Sequence, residues 1–78
     1  MNIEELRDKI DKIDTEVLSL LNDRMEVVYD VGQIKNVLNE SVYRPERENA
    51  IIDRLNKDSK GRLDLKSIRA IFKEIFAA

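Results

Sequence analysis

This 78-residue chain contains no cysteine and no histidine. The first absence removes disulfides and thiolate metal sites and suits a reducing cytoplasm. The second removes the usual zinc ligand and the side chain best suited to proton relays near neutral pH. No metal or cofactor is therefore expected. Tryptophan is absent as well, and only Tyr29, Tyr43, Phe72 and Phe76 are aromatic. With a net charge of −2 and both signs interspersed, a nucleic-acid surface is not expected. The longest apolar run is "VLSLL", serine included, which is far too short to span a bilayer. The amino terminus "MNIEELRDK" is acidic and polar, unlike a signal or transit peptide. The expectation is a single cytoplasmic domain, residues 1–78, too small to bury a large core without a staple or a partner.

Proline occurs once, at Pro45, and glycine only at Gly32 and Gly61. From Asn2 to about Glu40, Gly32 alone interrupts a run of residues compatible with helix. Across that run apolar side chains fall at Ile3, Leu6, Ile10, Ile13, Val17, Leu20, Val27, Val31, Ile34 and Leu38. The steps of three and four predict one long helix with a continuous seam. Gly32 within it costs about 1 kcal/mol against alanine and is expected to mark close packing of another helix. "NESVYRPERE" breaks the rhythm. Pro45 suits a first helical turn, and Glu46 and Glu48 suit its positive end. A second helix is expected from about Pro45 to Asp58, with Ile51, Ile52 and Leu55 inward. After the polar turn "DSKGR", Asp64 is placed to cap a third helix, with Leu63 and Ile68 as a hydrophobic staple. Leu65, Ile68, Ile71, Phe72, Ile75 and Phe76 form its apolar face. The fold class is all-α: three helices, the first by far the longest.

That first helix does not fit inside a monomer. About 38 residues span roughly 57 Å, whereas a compact chain of this size has a radius of gyration of about 11–12 Å. Two short helices cannot cover the whole seam. The remainder calls for a second copy, most economically an antiparallel homodimer about a two-fold axis.

The seam carries a cation where its rhythm demands an apolar residue, at Arg24. Lys35, eleven residues on, returns to within about 20° of the same direction and about 16 Å along the axis. Arg24, Val28, Val31 and Lys35 thus form one stripe with a cation at each end. A lone seam arginine can snorkel to water or fix register. Two uncompensated cations on an apolar wall instead call for negative charge, from in-chain carboxylates or from a ligand. Arg7, seventeen residues before Arg24, lies about 25 Å away on the same helix. If two copies cross antiparallel near Leu18 or Ser19, Arg7 of one falls opposite residue 30 or so of the other, beside the stripe. Arg44, Arg47 and Glu48 enter with the second helix. Glu48 is suited to accept a hydrogen bond from a ligand hydroxyl or to pair with Lys35 or Arg24.

"LRDKIDKIDTEVLSLLNDRMEVVYDVGQIK" and "VYRPERE" resemble the first helix and second-helix entry of the all-helical chorismate mutases. The resemblance covers nearly the whole chain and is closest to mutase domains fused to prephenate dehydratase. It implies an intertwined homodimer that rearranges chorismate to prephenate for phenylalanine and tyrosine biosynthesis. In that pattern Arg24 and Lys35 hold substrate carboxylates and ether oxygen, and Arg7 comes from the partner subunit. Glu48 meets the ring hydroxyl, and Arg47 is the adjacent charged residue of the site. Arg44 stands where some members carry Asp, so only its backbone would serve at the ring hydroxyl. The family's third helix continues to a serine and a glutamine that help hold substrate. This chain stops at Ala78, short of both, so its third helix is expected to be truncated. Two rival readings are a non-catalytic helical dimerisation or ligand-sensing module and an isochorismate–pyruvate lyase.

Overall fold

The computed structural model describes residues 1–40 and 44–78; Val42 and Tyr43 of the "VYRPERE" motif lie outside them. Three helices follow in order: α1 (Ile3–Val37), α2 (Pro45–Asp58) and α3 (Leu65–Ala77). The chain divides into two compact units, Met1–Ile34 and Lys35–Ala78.

Helix α1 begins where Asn2 Oδ1 accepts the Glu5 amide at 2.9 Å, an N-cap worth about 1 kcal/mol. Glu4 and Glu5 occupy its first turn and Lys35 its last, each matching the local end of the helix dipole. Its 35 residues extend for about 52 Å. The helix stops at Val37 and not near Glu40, because Asn39 takes a left-handed backbone conformation with φ 56°. Asparagine tolerates that conformation better than most residues. The Asn39 amide donates to the Asn36 carbonyl at 3.2 Å and the Glu40 amide to the Lys35 carbonyl at 2.8 Å. These two bonds make a Schellman-like cap that satisfies carbonyls at the end of α1.

No residue of α1 is buried. The ten seam residues keep between 42 and 67 % of their surface exposed. At Gly32, among the described residues, nothing lies within 4 Å of where a Cβ would stand. The close-packed neighbour expected from the sequence is not found among the described residues.

In the second unit α2 and α3 pack together around Ile52 and Ile68, each 5 % exposed. Ile51, Leu55, Leu65, Phe72, Ile75 and Phe76 are half-buried, with the Phe72 and Phe76 rings tilted at 59° and 5.9 Å apart. Ile71, expected on the inner face of α3, remains 46 % exposed. Leu63, expected to staple onto Ile68, is also exposed. The periodicity gave the direction of these side chains, but a two-helix pair has too little surface to cover them. Asp64 caps α3 as its position suggests, accepting the Ser67 amide at 2.9 Å. That hydrogen bond holds its carboxyl below the ordinary aspartate range.

Candidate active site

Arg7 lies in the second turn of α1, exposed to solvent, with Nη1 3.6 Å from Glu4. Arg24 follows about five turns later on the same helix and is half-buried. Seventeen residues of helix separate them by about 25 Å, so one chain cannot close both on a small molecule.

Lys35 stands in the last turn of α1, with a side chain only 22 % exposed. Its Nζ donates to Glu40 Oε2 at 3.0 Å. Pairing with Lys35 is one of the alternatives the sequence leaves open for Glu48, but the anion found beside this cation is Glu40. Five residues apart on a helix, two side chains point about 140° away from each other. They meet here because the chain reverses at Asn39. An asparagine just past a long helical run, followed by an acid, was the available signal.

Arg44, Arg47 and Glu48 cluster at the start of α2. Arg44 is the N-cap residue with a non-helical backbone, and its side chain makes no cap. Its carbonyl instead accepts the amides of Arg47 at 3.0 Å and Glu48 at 3.1 Å. The backbone carbonyl of the residue expected to face a ligand is thus engaged in starting the helix. Arg44 Nε donates to Glu46 Oε1 at 2.7 Å. This bond raises the guanidinium pKa and lowers that of the carboxyl, an effect screened by solvent. Arg47 is exposed and Glu48 half-buried.

One selection stands out. The chain has 14 basic and 16 acidic residues, none of them among residues 41–43. Only Arg24, Lys35 and Glu48 are drawn partly out of solvent, and every other charged residue is exposed. Withdrawing charge from water is unfavourable unless something charged or polar meets it. Among the described residues no group of His, Cys, Asp and Glu is arranged to hold a metal ion. No helix among them is long and apolar enough to cross a membrane.

The sequence matches the family model for chorismate mutase type II over residues 6–78. The chain belongs to that family. A bifunctional chorismate mutase/prephenate dehydratase from Neisseria gonorrhoeae is 39 % identical over 71 residues, covering 91 % of this chain and 19 % of its own length. A chorismate mutase from Methanocaldococcus jannaschii is 45 % identical over 53 residues, 68 % of this chain and 54 % of its own length. The form II structure of chorismate mutase from Thermus thermophilus superposes with a TM-score of 0.93 at 33 % identity. That match covers 96 % of this chain and 85 % of the other. The chain spans only about a fifth of the length of the bifunctional relatives it matches. The three half-buried charges fall within the part of the sequence shared with this chorismate mutase family.

Proposed function

We propose that this chain rearranges chorismate to prephenate, in the cytoplasm, as a homodimer whose two sites are each shared between subunits. The observation that carries the reading is the selection just described. Of thirty charged side chains, the three withdrawn from water all belong to the six that resemblance to the family assigns to the site; Arg7, Arg44 and Arg47 are exposed in the single chain. The exposed seam of α1 supports the dimer. Full burial of a Leu, Ile or Val is worth roughly 1.5–3 kcal/mol. The ten seam residues have about half of their surface left to bury, roughly 8–17 kcal/mol in all, as much as stabilises a typical domain, so a covering partner is strongly favoured. A prephenate dehydratase in the same polypeptide, as in the bifunctional relatives, is the fusion this reading implies.

Chorismate is a dianion, and the reaction is an intramolecular [3,3] rearrangement. One C–O bond breaks as one C–C bond forms, and no atom enters or leaves. The protein therefore has no bond of its own to make. Its work is to hold the enolpyruvyl arm over the ring and to stabilise charge that grows on the ether oxygen. Arg24 and Arg7 of the partner subunit suit the carboxylates, because a guanidinium binds them bidentately. Lys35 donates to the ether oxygen. Glu48 accepts from the ring hydroxyl, with Arg47 beside it and Arg44 at the rim.

The test is to incubate the purified chain with chorismate and follow its loss and the appearance of prephenate, beside a mass measurement in solution. Conversion by a species of twice 9.1 kDa is expected. A dimer without turnover would leave only a helical association module, and a stable monomer would overturn the shared site.

A further inference from the structure

The carboxylate on Lys35 has no part in the reaction just described. Glu40 reaches Lys35 twice: its amide donates to the Lys35 carbonyl at 2.8 Å, and its Oε2 accepts from Nζ at 3.0 Å. The left-handed Asn39 makes both contacts possible by folding the chain back over the last turn of α1. Lys35 is the more enclosed partner, at 22 % side-chain exposure against 52 % for Glu40. The cation is thus the more covered member of the pair and the acid the more exposed.

We propose that Glu40 is an internal counter-anion that competes with the substrate for Lys35 and so sets how tightly a dianion binds. The inference rests on the reading that Lys35 faces substrate. An ammonium has three N–H donors, and Glu40 takes one of them. An incoming oxygen takes another, but it arrives within a few ångströms of a like charge. Glu40 touches no reacting atom; it acts through Lys35 and tunes affinity. Because the pair is partly solvated, the effect is moderate, about two- to fivefold in affinity, and weakens with added salt.

Glu40→Gln keeps the backbone donor and the side-chain shape while removing the charge. Kinetics with chorismate on the full chain are expected to show KM lowered by about two- to fivefold, kcat changed less, and the gain shrinking as salt is added. A purely structural role for Glu40 would lower Tm and leave KM where it was. KM unchanged or raised in a folded variant overturns the proposal. A second measurement separates this outcome from failure of the functional reading. Malonate, a dicarboxylate that cannot rearrange, is titrated while the Lys35 side-chain NMR signals are followed. If the wild type does not convert chorismate, the mutase reading falls, yet malonate still binds more tightly to Glu40→Gln if Glu40 competes. Equal malonate affinity in both proteins overturns the inference whatever chorismate does.

Discussion

Lys35→Ala lowers kcat by about 10²–10³-fold and changes KM far less, in the range found when one donor to a developing oxyanion is removed. The split follows from when the interaction is made. The ether oxygen carries little charge in bound chorismate and much more as its C–O bond lengthens, so an ammonium fixed there stabilises the transition state above the ground state. Lys35 is well suited to stay fixed. It occupies the last turn of α1, where the helix dipole favours a cation, and most of its side chain is enclosed. Removing it also strands Glu40 as an unopposed acid, which by itself repels a dianion. The double variant Lys35→Ala, Glu40→Gln therefore isolates the catalytic loss: kcat stays low while any rise in KM is relieved. Steady-state kinetics on both variants check this. Small, equal losses in kcat and affinity would deny Lys35 the role.

Arg24→Lys lowers kcat/KM by roughly 10- to 150-fold, the equivalent of one hydrogen bond to a charged group. The substitution keeps the charge and most of the aliphatic stem, so seam packing and net electrostatics change little. What it removes is the planar fork. A carboxylate held by two parallel N–H bonds has its orientation fixed, and orientation is most of what this reaction needs from a protein. Arg24 is half-buried on a helix whose neighbouring seam positions are apolar, and in the proposed dimer a partner covers that seam, so a lysine there has little water to recover its lost contacts. Kinetics beside a thermal melt distinguish the two roles of the residue. Retained activity in a folded Arg24→Lys protein would mean that charge alone suffices and the bidentate assignment is wrong.

The helices were legible because each carries its own signals. Pro45 with two early acids opens α2, and the Asp64 side chain bonded to the Ser67 amide opens α3. The end of α1 was less legible because two signals conflict there. The apolar rhythm runs on through Leu38, while Asn39 stops the helix by turning left-handed. A period reports which way a side chain points and not whether anything covers it, which is why Ile71 and the whole α1 seam stay in solvent. The candidate site divides along the same line. Arg24 and Lys35 were visible from helical spacing, and Glu48 from its place at the head of α2. Glu40 was not, since its contact with Lys35 exists only after the chain doubles back. No helix-face rule connects positions five apart.

If each site takes Arg7 from one subunit and Lys35 from the other, mixing two crippled proteins restores activity. Arg7→Ala and Lys35→Ala are each expected to be nearly inactive alone. Co-refolded in equal amounts, half of the dimers are mixed, and each mixed dimer holds one site with both residues intact and one with neither. Activity is then expected to recover to about a quarter of the wild-type value. Recovery no greater than the sum of the two separate proteins, with mixed dimers demonstrably formed, would show that Arg7 and Lys35 do not meet across subunits.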